Sequence, residues 1–280
     1  MKACPPNMIA DIDTLGSFPA VYQQLDAALN DPHSSIGRFS EIIEHDVDLT
    51  ARLLRLANSS FYGFPGDIET VGQAITLIGL QQMQDLVTAR CAIDFFKGIS
   101  SGFVDMESFW RHSVACGTVA RVLAVYRREA NPERLFVAGL LHDIGRLVIY
   151  LKATDAVPEI FCRYRAGGKL LVDCEQAVLG TNHAEVGAAL IRHWRLSSAL
   201  AETVRCHHRP HDAAGHLLDA ATVHVADVLA LALETGSSGQ KLPPPLQPAA
   251  WNRLGLAPLL VEPICNDVEA QMEDVLALFL

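Results

Sequence analysis

The sequence predicts an essentially all-α protein, and three observations carry that expectation. Apolar residues recur at helical spacing along most of the chain, strand-like alternation bounded by turns is nearly absent, and clusters of Gly, Pro and Ser interrupt the pattern at only a few points. Half of the 280 residues are hydrophobic and 19% are charged, which suits a soluble globular protein of one large or two ordinary domains.

Each element has its own signal along the chain. Asp31-Pro32 and then Ser34-Ser35 mark a helix start ahead of GRFSEIIEHD. In DLTARLLRLANSSF, Leu49, Leu53 and Leu56 fall on one helix face, with Leu54 and Ala57 beside it. SSFYGFPGDIET breaks the pattern with aromatics, Gly and Pro and reads as a loop. The face resumes at Val71, Ala74, Ile75 and Ile78, then at Met83, Leu86 and Val87. KGISSGF, residues 97–103, is the best boundary between two packed helical subdomains, 1–100 and 101–235. Residues 236–250, within ETGSSGQKLPPPLQPAA, read as a linker or an exposed loop stiffened by the triple proline. Residues 251–280 return to a helical pattern and are expected to pack back on the body; no internal repeat is present.

Charge and cysteine usage exclude several classes of function. A net charge of -10 is a poor match to a nucleic-acid backbone, although a local basic pocket for a small phosphate ligand stays open. The start, MKACPPNMIADIDTLGSF, does not read as a signal peptide, and no run approaches the length of a membrane span. The seven cysteines are scattered without a CxxC, as expected of reduced thiols in a cytoplasmic protein.

The chemistry lies in the histidines, nine of which fall between His112 and His224. In GLLHDIGRLVIY, His142 and Asp143 are adjacent inside an apolar run. Burying an imidazole beside a carboxylate is costly unless something balances the charge and fills the lone pairs, and a divalent metal does both. His112, His183, His207, His208 and Asp227 each lie on or next to an apolar helix face, so several helices are able to project ligands into one bundle core. Singly, each has a plainer reading. His112 reads as a partly exposed helix residue, His183 as a helix-start residue and His207-His208 as a solvated turn; Asp227 reads as a partner of a backbone group or of His224. His193, His211, His216 and His224 read as structural or surface residues. The combination of imidazole and carboxylate suits Fe, Mn, Zn or Ni better than Ca or Mg.

The order His112, His142-Asp143, Asp227 resembles the HD superfamily of metal-dependent phosphohydrolases, and HDIGR is similar to the HDIGK of its HD-GYP branch. The N-terminal half is similar to the HDOD family, a bacterial signalling relative. The carrying residues are Phe18-Pro19, IIEHDVDLTARLLRLANSSFYG and IETVGQAITLIGL, within a likeness covering about residues 15 to 235. That resemblance implies two helical subdomains, the second an HD-type bundle, with a metal on His112, His142, Asp143 and Asp227. It implies a second ion on His183, His207 and His208, so one or two divalent transition-metal ions, Fe or Mn ahead of Zn or Ni. Many HDOD proteins have lost some of these ligands; here every ligand-type position is filled. HHRPHDAAGH lacks the HHE and GYP signature, which separates the chain from cyclic-di-GMP hydrolases.

Two functions stand as expectations. The first is a bacterial signal-transduction module, with a partner protein or a small phosphate-containing ligand at its N-terminal half and interdomain cleft. The second is a metal-dependent phosphohydrolase on a phosphodiester or nucleotide, with Arg146 contacting the phosphate.

Overall fold

Capping side chains set where the helices begin. The structure, a computed structural model, describes residues 16–97 and 102–280; the expected subdomain boundary falls on residues 98–101, outside them. After α1 (Ala20–Leu29), Ser35 accepts a hydrogen bond from the Arg38 amide and opens α2 (Ile36–Glu44). Asp46 accepts from the Leu49 amide and opens α3 (Val47–Ala57). Thr70 and Gln73 form a reciprocal capping box at the start of α4 (Val71–Ile78). The apolar pattern from Val71 to Val87 looks continuous, but Gly79 takes φ +105°, open to glycine alone, and separates α4 from α5 (Leu80–Phe95).

Asp105 caps α6 (Met106–Tyr126), which is buried on every side from Phe109 to Ala124 apart from Arg111, as befits the central helix of a bundle. Against it pack α7 (Glu133–Leu141) and α13 (Leu217–Ala232), with α8 (Ile144–Lys152), α9 (Val157–Arg165), α10 (Leu171–Leu179), α11 (His183–His193) and α12 (Ser198–Cys206) between them along the chain. The chain ends in α14 (Pro248–Leu254) and α15 (Val261–Phe279). Among the described residues there is no strand, as the sequence predicts, and the described cysteines are free thiols. No described helix is long and apolar enough to cross a membrane.

One hydrophobic core runs from Phe18 to Phe279. Helix α15 joins its two halves, packing on α6 and on α3. Its C-terminal carbonyls accept from the N-terminal helices, Leu278 from Arg52 at 2.7 Å and Phe279 from Arg90 at 2.8 Å. The Phe279 ring meets Phe136 of α7 at 5.1 Å.

The stretch 236–247 is exposed over most of 241–246, as its composition suggests, but its Gly/Ser part lies against the bundle. Ser238 and Gln240 are 1% and 2% exposed, and the Ser238 carbonyl accepts from the Tyr150 hydroxyl at 2.9 Å. Gly and Ser are small enough to lie against the bundle, and the buried Ser238 hydroxyl finds partners there in Asp143 and Arg146.

Two close helix crossings bring the histidine-bearing helices together. Where α7 crosses α6, a Cβ on Gly139 would stand 2.7 Å from the Cys116 carbonyl oxygen. Where α8 crosses α11, a Cβ on Gly145 would overlap the His183 carbonyl oxygen and stand 2.5 Å from the Gly187 nitrogen. Backbone-to-backbone contact of this kind leaves no flexible side chain to yield. Gly145→Ala is therefore expected to cost about 3 kcal/mol or more in chemical denaturation. Gly72→Ala, whose new methyl would meet Ser40 Oγ at an ordinary 3.5 Å, is expected to be neutral or slightly stabilising.

Candidate metal centre

Each predicted ligand reaches the centre from a defined place on a helix. His112 projects from the second turn of α6, while His142 ends α7 and Asp143 begins α8. His183 is the first residue of α11, whose start is fixed by Asn182 accepting from the Ala184 and Glu185 amides. His207 ends α12 with His208 after it, and Asp227 lies in the middle of α13. All seven side chains converge. Their exposures are 0% for His112, His142, His183 and His207, 2% for Asp143 and 3% for Asp227, while His208 is half-buried.

Asp143 divides the centre in two. Its Oδ2 lies 3.3 Å from His142 Nε2 and 3.8 Å from His112 Nε2. These two nitrogens are 3.4 Å apart, and Asp227 Oδ1 lies 3.4 Å from His112 Nε2 and 3.6 Å from His142 Nε2. The other oxygen, Oδ1, lies 3.1 Å from His183 Nε2 and 4.0 Å from His207 Nε2. His183 Nε2 is in turn 3.4 Å from His207 Nε2 and 2.9 Å from His208 Nε2.

Backbone and carboxylate partners decide which ring nitrogen faces inward. His142 Nδ1 bonds the Gly139 carbonyl at 2.6 Å, His207 Nδ1 the Val204 carbonyl at 2.7 Å, and His183 Nδ1 the Glu175 carboxylate at 2.5 Å. With the proton on Nδ1, each Nε2 carries a lone pair directed at the centre. Lone pairs that face one another repel, and Asp143 Oδ1 and Asp227 Oδ1 are buried with no hydrogen-bond donor among the described residues. A divalent cation about 2.1 Å from each nitrogen would set such donors about 3.0–3.4 Å apart, close to the separations seen. The residues therefore fit a metal, in two groups that share Asp143: His112, His142 and Asp143 with Asp227 beside them, and Asp143, His183, His207 and His208.

Without a metal, protons take over its electrostatic role. Burial opposes ionisation of Asp143, yet Arg146, His142 and His183 hold its carboxyl well below the usual range; burial likewise opposes Asp227, which His112 and His142 hold low. Burial would lower His142, but Asp143 beside it raises its pKa well above the usual imidazole value. Burial and Arg146 both lower His183, and the carboxylates of Glu175 and Asp143 raise it overall. Burial and then the charge on His142 and His183 push His207 down to about 3.

Arg146, the residue expected to contact a phosphate in an enzyme, is engaged with carboxylates of the centre. Its side chain is 1% exposed and turned inward. One guanidinium nitrogen bonds Asp143 Oδ2 at 2.8 Å and also Ser238 Oγ, and Nε lies 3.4 Å from Glu175. The apolar surroundings of HDIGRLVIY draw the cation to the nearest buried carboxylates. His224 is structural: its Nδ1 bonds the His207 carbonyl at 3.0 Å, and its Nε2 accepts from the Gln247 amide at 3.1 Å.

Three contributors escape a sequence reading. Glu175 accepts from both the amide and Nδ1 of His183, fixing the tautomer of that ring. Its signal is a carboxylate on the apolar face made by Leu171, Cys174 and Leu179. Ser238 bonds Asp143 Oδ2, and Gln247 donates to the His208 carbonyl at 2.8 Å. Neither leaves a local signal in a Gly/Ser/Pro-rich segment. Toward solvent, His208 borders a cleft of about 170 Å³ that Asn182, Glu185, Arg205 and Arg209 also line.

Comparison with known proteins gives the family and the fold. A family model described as the HDOD domain matches residues 15–210, and the chain belongs to the HDOD family. An uncharacterised protein of Treponema pallidum (strain Nichols) is 27% identical over 212 residues, 72% of this chain and 40% of that protein. The chain spans about two fifths of the length of the curated relatives it matches. Among solved structures, an HDOD domain protein of unknown function from Geobacter sulfurreducens superposes with a TM-score of 0.77 at 23% identity, covering 98% of this chain and 97% of that one. A protein of Shewanella amazonensis described as a candidate phosphohydrolase superposes with a TM-score of 0.75 at 24% identity, covering 99% of both chains. At these identities the likeness is one of fold.

Metal binding is expected to release protons near neutral pH, because His142 and His183 must give theirs up. A raised imidazole pKa favours the protonated ring, so affinity for Mn²⁺ falls as pH is lowered from about 8 to about 6, while the carboxylates stay ionised. Calorimetric titration in buffers of different ionisation enthalpy measures the release. Asp143→Ala removes the shared ligand and is expected to abolish metal retention; full metal content in that variant would contradict the assignment.

Proposed function

We propose that this chain is a bacterial signal-transduction module of the HDOD type, acting in the cytoplasm, whose His/Asp centre holds a divalent transition metal in a structural role. The carrying observation is closure of the centre. Structural metal sites are closed, whereas catalytic ones keep a position open to substrate. Six of the seven donor side chains are 0–3% exposed, and Ser238 lies against Asp143. The cleft beside His208, about 170 Å³, is smaller than the roughly 300–1,000 Å³ of pockets that take drug-sized ligands.

Charge balance favours one ion. Asp143, Asp227 and Glu175 against Arg146 leave two negative charges among neutral imidazoles, which a single divalent cation offsets. A second ion requires an anionic ligand.

The second reading is a metal-dependent phosphohydrolase. It is favoured by the complete second group of donors and by Arg205 and Arg209 at the mouth beside His208. A bound metal would supply an acidified water and polarise a phosphoryl oxygen. The residues of this chain would hold the donors in register through Glu175 and Arg146.

Elemental analysis of protein purified without chelator or histidine tag, paired with a phosphodiester screen that includes cyclic-di-GMP, separates the two. The expected result is about one equivalent of Fe or Mn per chain and no turnover. Two equivalents together with rapid turnover would overturn the structural-metal reading in favour of the hydrolase.

A further inference from the structure

A cleft of about 500 Å³ lies between α1 and α5 on one side and α7 and the start of α12 on the other. Its volume is that of a small-molecule site, and it shares no side chain with the metal centre. Asp85 of α5 lines it, accepting from Asn131 Nδ2 at 2.7 Å. Next to it Gln81 donates to Gln84 at 3.2 Å, and Gln84, 3% exposed, donates to Asp26 at 3.3 Å.

Among the described residues no Lys or Arg lies within ion-pair distance of Asp85. Burial, partly offset by Asn131 and Gln81, pushes its carboxyl up to about 6. At neutral pH the cleft thus holds a carboxylate with amide donors only, a group that a ligand's N–H groups would satisfy. The neighbouring cation Arg134 is committed to Asp219 and Glu129.

Arg195 stands at the rim. It is exposed, carries no ion pair among the described residues, and has φ +58°, a strained conformation for a residue with a Cβ. Between rim and floor, the Tyr22 ring and the apolar side chains of Leu29, Val137 and Leu200 offer walls for a flat ligand.

We propose that this cleft binds a guanine nucleotide, with the base edge on Asp85 and the phosphate at Arg195. Guanine presents two adjacent N–H donors, N1 and N2, that match the two oxygens of one carboxylate. Adenine places an acceptor at N1, which a carboxylate repels. Asn131 holds the Asp85 carboxylate and Gln84 holds Asp26, and Asp26 suits the ribose hydroxyls. A rim guanidinium meets the phosphate as a charge-assisted, solvent-accessible contact. The proposal is independent of the metal centre, and its test needs no metal.

Titration calorimetry of the full chain with GMP, guanosine, AMP and inorganic phosphate decides it. GMP is expected to bind saturably with a micromolar dissociation constant, and AMP about tenfold or more weakly. Asp85→Asn is expected to weaken GMP by about tenfold or more, since its amide N–H₂ opposes the guanine donors. Arg195→Ala, at an exposed position, is expected to weaken GMP and leave guanosine unchanged, which keeps the test open if the Asp85 variant fails to fold. Absence of saturable GMP binding, equal affinity for AMP or for phosphate alone, or undiminished GMP affinity in a folded Asp85→Asn protein would overturn the proposal.

Discussion

The second half of the molecule is organised around one buried carboxylate. Asp143 is 2% exposed, and its two oxygens face different groups of imidazoles. An isolated carboxylate at such a depth would take up a proton rather than stay charged. Here Arg146, Ser238 and the histidines hold the ionised form, and each has its own reason to be in place. Arg146 is bound from the other side by Glu175, and Glu175 also orients His183. Removing one member of this chain leaves an unpaired buried charge, which is costlier than the loss of a single hydrogen bond.

The backbone accommodates that requirement. Gly139 lets α7 approach α6 closely enough for His142 to reach His112, and Gly145 lets α8 approach α11 closely enough for Asp143 to reach His183. The imidazoles are held by carbonyls at the ends of their own helices, Gly139 for His142 and Val204 for His207. Helix C-termini leave carbonyls without intrahelical partners, so a histidine placed there has a partner for Nδ1 and an Nε2 free to point away. The loop at 236–247 completes the enclosure, with Ser238 at one end of the centre and Gln247 at the other.

Two of the histidine-bearing helices also reach the cleft lined by Asp85. α7 runs from Arg134 and Val137 at the cleft to His142, and α12 runs from Leu200 at the cleft to His207. Each is nine residues, about 13 Å of rigid rise. The same two helices thus connect that cleft with the candidate metal centre.

Much of this was legible in the residues alone. Helical periodicity determined the all-α class, Ser34-Ser35 stands where a helix begins, and the adjacent His142-Asp143 in an apolar run pointed to a buried centre. The other ligands were legible as a set, because imidazoles and carboxylates beside apolar helix faces have few other reasons to recur. What the sequence could not supply is where a long side chain turns when it is buried. Arg146 lies one turn from His142, and nothing local distinguishes a guanidinium facing a ligand from one facing Glu175, a residue 29 positions later. Ser238 and Gln247 belong to a segment whose composition reads as solvent-exposed, and only packing against Tyr150 and His224 gives them buried roles. Periodicity and residue chemistry are local and survive in one dimension. The partners of a buried charge are chosen by proximity in space, so the tertiary structure alone decided them.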